Sequence, residues 1–317
     1  MKKLKYISMI LTAGLLIMSC EKHEITFDAR PVDNMALVQF HNQLPIPAGS
    51  ANNFYKVELN GVDVTHGSRV TLNSWGSIPA ELGRNYVTNP GLASIKLYQS
   101  ANMVLKYEQT VTLQTGKQGL ILYDLNQPPL VFTEPDNFIS DRASYDTDTI
   151  EYVRFFNLMY ERPGTQSNLK LQYQYQYVIN PIYTLADAAA GIIPEGSKVG
   201  DPVPSPKTSA WINMGEPVGF GENTGWQLVP LKKASSGSSN SGTARVDYRI
   251  KVAEGGTVGT NMTADNLLIC NDRATGDPVN GCPDYWVGTV GRRYYHFVGG
   301  HRAGGPPGVA VVQLTLK

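Results

Sequence analysis

The stretch Leu169-Lys170-Leu171-Gln172-Tyr173-Gln174-Tyr175-Gln176-Tyr177 alternates without a break. Leucines and tyrosines take the odd positions, lysine and glutamines the even ones. A β-strand sends successive side chains to opposite faces, so this period of two predicts a half-buried strand. The tyrosine face either packs inside a sandwich or stands open as a stacking platform for sugar rings. Ala244-Arg245-Val246-Asp247-Tyr248-Arg249-Ile250-Lys251-Val252 repeats the pattern. Earlier in the chain, Tyr55-Lys56-Val57-Glu58-Leu59-Asn60-Gly61-Val62-Asp63-Val64 alternates on both sides of an Asn-Gly pair. Asn-Gly accepts the positive φ angles of a type I′ turn, so this segment predicts a β-hairpin. Short strand signals follow at Ala36–Phe40, Ser94–Tyr98, Leu105–Leu113, Gly119–Leu125 and Val309–Leu316, with Gly, Pro and Asn between them. One short helix is predicted near Thr184–Gly191, where Thr184 caps, Asp187 favours the positive helix end and Gly191 terminates. The class expected is all-β, a sandwich or a barrel and not a parallel α/β sheet.

The chain then begins again. Val153-Arg154-Phe155-Phe156-Asn157 echoes Val38-Gln39-Phe40-His41-Asn42. A looser echo relates Tyr107, Val111 and Gly116 to Tyr248, Val252 and Gly255. Both predict a duplicated β-domain, the second copy enlarged by insertions. The expected boundaries are 35–133 for the first sandwich, 134–149 for a linker and 150–317 for the second. Asp141, Asp146, Asp148 and Glu151 gather at that linker. Without a turn glycine and full ligand spacing they read as a solvated connection and not a calcium loop.

The N-terminal residues carry Lys2, Lys3 and Lys5 ahead of an apolar run, Ile7–Met18, and Cys20. These are the zones of a secretory signal over 1–19, and the run is short for a membrane span. Ile17-Met18-Ser19-Cys20 resembles a bacterial lipobox. The resemblance implies acylation of Cys20, a polar tether over 20–34, and attachment to the outer membrane by lipid alone. Lys22 and Glu24 resemble the lysine-plus-acid signal of lipoproteins displayed on the cell surface, with His23 interrupting it; the periplasmic face is the alternative. The full chain has 27 basic and 27 acidic residues, and removing the three signal lysines leaves 24 against 27, a formal −3. That balance gives no electrostatic footprint for nucleic acid.

Cys270 and Cys282 are the other two cysteines. In an oxidising compartment they are expected to pair, stabilising the fold by about 3 kcal/mol on the chain-entropy model. The intervening segment holds no histidine and no third thiol, which argues against a metal pair. The Val-x-Phe-x-Asn openings, the Val57-Glu58-Leu59-Asn60-Gly61 hairpin and Asn89-Pro90-Gly91 resemble the domain-of-unknown-function family numbered 4397. Phe220-Gly221-Glu222-Asn223-Thr224-Gly225-Trp226 looks like its central turn. The resemblance implies tandem immunoglobulin-like sandwiches in a lipoprotein of a Bacteroidetes-type bacterium, and carries no active residues.

Chemistry is hard to find in the sequence. There is no Gly-x-Ser-x-Gly elbow, no phosphate-binding glycine loop opening a helix and no Cys-x-x-Cys. His296 and His301, five apart, would face opposite ways from one strand. No cofactor or metal is expected. Aromatic residues near turns are the remaining signal, and Trp226, Trp286, Tyr294 and Tyr295 are the candidate ligand contacts, from a list that also holds Trp75, Trp211 and Tyr285. The expected role is non-catalytic binding, adhesion or structure, with a glycan or a surface protein as partner. A glycan-binding accessory to polysaccharide uptake is the alternative. A glycoside hydrolase with a carboxylate pair is a further one, although no pair is nominated.

Overall fold

The computed structural model describes residues 32–47, 49–66, 69–79, 84–133, 150–179, 182–205, 207–231, 243–271, 277–303 and 308–316. Cys20, the tether up to residue 31 and the 134–149 linker lie outside the described residues. The strands that build the layers are β1 (Ala36–Asn42), β2 (Phe54–Leu59), β3 (Gly91–Gln99), β4 (Val104–Leu113), β5 (Gly116–Leu122) and β6 (Leu130–Thr133) in the first half. The second half contributes β7 (Ile150–Arg162), β8 (Lys170–Ile179), β9 (Thr243–Glu254), β10 (Asp284–Thr289), β11 (Arg293–His301) and β12 (Ala310–Leu316). The fold is all-β, with α1 (Leu185–Ala189) entering through a capping box between Thr184 and Asp187. The Asn60-Gly61 turn has both residues at positive φ, 53° and 77°, as a type I′ hairpin requires.

Each half is a sandwich, and the two share one topology. In the first, β1-β5-β6 form one sheet and β2-β3-β4 the other. In the second, β7-β11-β12 face β8-β9-β10. The opening strand of each half pairs parallel with the penultimate one: Val38 with Gln118, and Val153 with Tyr294. All other neighbours in these layers run antiparallel.

The repeated Asn does the same work twice. Asn42 accepts from the Leu44 N–H and donates to the Asn73 carbonyl at 3.0 Å. Asn157 accepts from the Met159 N–H and donates to the Val218 carbonyl at 3.1 Å. Both are fully buried, and each ties its strand to a loop through a carbonyl that also accepts a backbone N–H, from Gly76 in the first half and from Leu171 in the second. The looser echo pairs strands that are not equivalent. Tyr107 and Val111 lie in β4, whose counterpart is β10, whereas Tyr248 and Val252 lie in β9. Period-two strands running into a glycine resemble each other wherever they occur, which is why that echo misleads.

The leucine and tyrosine face of β8 is core. Leu169, Leu171, Tyr173, Tyr175 and Tyr177 all pack inside the second sandwich with Val153, Phe155 and Met159 of β7. The opposite face of β7 is also apolar and also covered. Phe156, Leu158, Tyr295 and Phe297 meet Ile121 and Phe132 of the first half in a separate aromatic cluster. His41 sits among these rings, 5.7 Å from each of Phe132, Tyr295 and Phe297. The Trp75 ring lies against Gly299, where any Cβ would stand 2.6 Å from it. Tyr160 reaches across to donate to the Tyr123 carbonyl at 3.1 Å.

Candidate functional site

Three of the four candidate aromatics are buried, and the fourth packs against them. Trp286 is core; its indole N–H donates to Glu151 Oε1 at 2.7 Å and its ring lies 4.9 Å from His296. Tyr294 faces the interior of the second sandwich. Tyr295, the next residue, faces the other way, into the cluster between the halves, where its ring lies 5.0 Å from Phe132 and 5.2 Å from Trp226. The Arg154 guanidinium stands over the Trp226 ring at 5.9 Å. None of the four forms an open platform. Adjacent strand residues point to opposite faces, and in β11 both faces are covered.

Glu151 corrects another expectation. It is not part of a solvated acidic segment; it lies in β7 with its side chain fully buried. Burial pushes its carboxyl up to about 8, against the opposing hydrogen bonds from Trp286 and from the Thr289 N–H. His296 is equally buried, its Nδ1 2.9 Å from the Tyr173 hydroxyl, and burial lowers its pKa to about 3. A general acid or base must reach substrate directly or through one water. Neither Glu151 nor His296 lines the cleft beside β8 or the cleft beside Cys270.

Cys270 and Cys282 are joined by a disulfide, their Cα atoms 6.5 Å apart. The bond borders the smaller cleft, about 280 Å³, with Tyr248, Asp284, Val309 and Val311 opposite. The larger cleft, about 620 Å³, opens beside β8 between Gly215–Val218 and Glu222–Gln227. It is wide and shallow, and Gln172 donates to the Gly215 carbonyl at its rim.

The accessible aromatic pair is a different one, on the outer face of β8-β9-β10. Arg249 hydrogen-bonds Gln174 at 2.8 Å and stacks over Trp211 at 4.3 Å. Gln174 in turn donates to Asn213 at 2.7 Å. Four residues away on β9, Arg245 pairs with Asp247 at 2.8 Å and stacks over Tyr285 at 4.3 Å. Each ring is thus held by an arginine that is itself held by a polar neighbour. Tyr285 is 46% exposed and Trp211 half-buried. Asp247 pairs in register with both Gln176 and Tyr285, and Trp211 precedes Ile212, which pairs with Tyr175. Trp211 and Tyr285 therefore end one cross-strand row, three strand spacings or ~14 Å apart, with Gln176 and Asp247 between. Both residues were visible in the sequence, which lacks the signal that separates them from the other aromatics: each lies outward because its neighbour in register, Gln176 on β8 or Asp247 on β9, belongs to the polar face of its strand.

No family model matches the chain, and no curated protein is similar to it. Among solved structures, a candidate cell adhesion protein from Bacteroides uniformis ATCC 8492 matches with 10% identity and a TM-score of 0.23, over 90% of this chain and 98% of that one. Another, from Bacteroides fragilis NCTC 9343, matches with 9% identity and a TM-score of 0.21, over 89% and 97%.

Proposed function

We propose that this chain is a non-catalytic binding protein, anchored to the outer membrane by lipid on Cys20 and displayed at the cell surface, where its second sandwich holds a glycan. The carrying observation is the row from Trp211 to Tyr285. Ring faces offer apolar stacking to the C–H faces of sugars, and planar amide, guanidinium and carboxylate groups between them match hydroxyls as donors and acceptors. Two cations on this face pair with carboxylates, Lys170 with Glu254 at 2.9 Å and Arg245 with Asp247, and Arg249 is held by the neutral Gln174. A neutral polyhydroxylated ligand suits such a surface better than a strongly charged one. The buried state of Glu151 and His296 supports the non-catalytic part of the reading.

A glycan array probed with soluble protein tests it. The expected result is oligosaccharide binding that is lost in a Trp211→Ala, Tyr285→Ala double variant and kept in Met103→Ala on the first sandwich. Retained binding in the double variant refutes the site. Turnover of any polysaccharide, abolished by a single Asp or Glu change, refutes the non-catalytic role. For the anchor, Cys20→Ala is expected to move the protein from the membrane fraction to the soluble one.

A further inference from the structure

Three exposed apolar side chains gather at one end of the first sandwich: Val62 (64% exposed), Val87 (53%) and Leu92 (75%). Asn60 brings them together. Its amide donates to the Thr88 hydroxyl at 3.1 Å, its carbonyl side chain accepts from the Ser94 N–H, and its own N–H donates to the Ser94 carbonyl at 2.9 Å. Val62 is two residues from Asn60, Val87 is next to Thr88, and Leu92 is two residues from Ser94.

This is also the end at which the chain enters the sandwich. Ala36, the first residue of β1, pairs with Thr88, Leu37 pairs with Val87, and the Met35 carbonyl accepts from the Gly116 N–H. The second half packs elsewhere: its aromatic cluster meets His41, five residues farther along β1. Twelve residues lie between Cys20 and Asp33, and the thirteen steps span at most about 45 Å when fully extended.

We infer that the Val62, Val87 and Leu92 end of the first sandwich rests in the lipid headgroup layer to which Cys20 is anchored, so that a bilayer surface is its partner. The inference rests on the lipid anchor proposed above and adds an orientation to it. A tether alone leaves the body free to tumble. Apolar side chains at the tethered end add interfacial affinity by dipping ~5–10 Å into the headgroup and acyl boundary. A second copy of the chain fits this patch poorly. One leucine and two valines offer on the order of 300 Å², well short of the ~1,000 Å² or more that a stable interface buries.

The test uses the acylated full-length protein in phosphatidylcholine liposomes containing a spin-labelled lipid quencher. An environment-sensitive fluorophore is placed at Leu92→Cys, at Val62→Cys, or at Met103→Cys. Met103 is exposed too (40%) but lies in the turn beyond the far end of β3, about 30 Å away. The Leu92 and Val62 labels are expected to shift to the blue and be quenched, and the Met103 label to do neither. Equal behaviour of all three labels overturns the inference. So does a blue shift that grows with protein concentration in the absence of lipid, which would assign the patch to a second copy. An acylated, liposome-bound chain whose Leu92 label stays unquenched overturns the orientation alone. A chain from the envelope with no acyl mass on Cys20 overturns the anchor and the orientation together.

Discussion

Replacing Glu151 with Gln should change how stability depends on pH. The carboxyl is fully buried, accepts from the Trp286 indole and the Thr289 N–H, and has Gly288 so close that a Cβ there would stand 2.6 Å from both oxygens. Burial raises its pKa from 4.5 to about 8. Between those values the folded chain holds a proton that the unfolded chain has released. Glu151 therefore favours the fold most below pH 4.5, and this contribution is lost as pH rises through about 8. From pH 6 to 8 the loss is two pH units at about 1.4 kcal/mol each, roughly 3 kcal/mol, and little more is lost by pH 9. Glutamine carries no such proton. It leaves one donor without its acceptor at a cost of about 1–3 kcal/mol, the same at every pH. His41 and His296, both lowered to about 3 by burial, oppose Glu151. Their folded forms stay neutral while the unfolded chain takes up protons, so stability falls as pH drops from 6.5 towards 3. That contribution is common to both proteins and cancels in their difference. Urea unfolding at pH 6, 7, 8 and 9 reads the result directly. Wild type should lose about 3 kcal/mol relative to Glu151→Gln across the range, and two parallel profiles would refute the argument.

Gly299→Ala should lower stability by about 1–3 kcal/mol, because the new methyl collides with the Trp75 ring and pries at the contact between the halves; urea unfolding with unchanged far-UV circular dichroism checks this. Reduction of the Cys270–Cys282 bond should cost about 3 kcal/mol, and neither thiol should react with maleimide until a reductant is added. Labelling of the native, unreduced protein would contradict it.

The strands were legible because their apolar positions repeat every second residue, and β8 shows how far such a pattern reaches. It identifies Tyr173, Tyr175 and Tyr177 as one face of one strand and leaves open whether that face is covered. The Asn60-Gly61 turn was legible because few other pairs tolerate two positive φ angles. What escaped was the partner of each second face. Phe156, Leu158 and Tyr160 follow directly on Phe155, Asn157 and Met159, so β7 is apolar on both sides. A sequence holding such a run does not say whether the extra face meets solvent, a ligand or another part of the same chain. The same gap leaves the sequence silent on the burial of Tyr294, Tyr295 and Trp286, which the fold covers, and on the partial burial of Trp226. It hid Glu151 as well, since a carboxylate beside a run of aspartates reads as solvated until its strand partners are known.

The parallel pairing of each opening strand with a penultimate one has a consequence for how the protein is made. Val38 must wait for Gln118, 80 residues later, while Val153 must wait for Tyr294, 141 residues later. Pairings this remote in sequence form slowly, because a long loop must close before any contact rewards it. A chain emerging from its N-terminus can complete the first sandwich once residue 133 is out. Until β11 and β12 emerge, Phe156 and Leu158 can already settle on the finished first sheet and β8 can cover the inner face of β7, but the edge of β7 that pairs with β11 stays open. The first half thus offers a template for one side of the second, and of the two parallel pairings that of β7 with β11 must wait the longer.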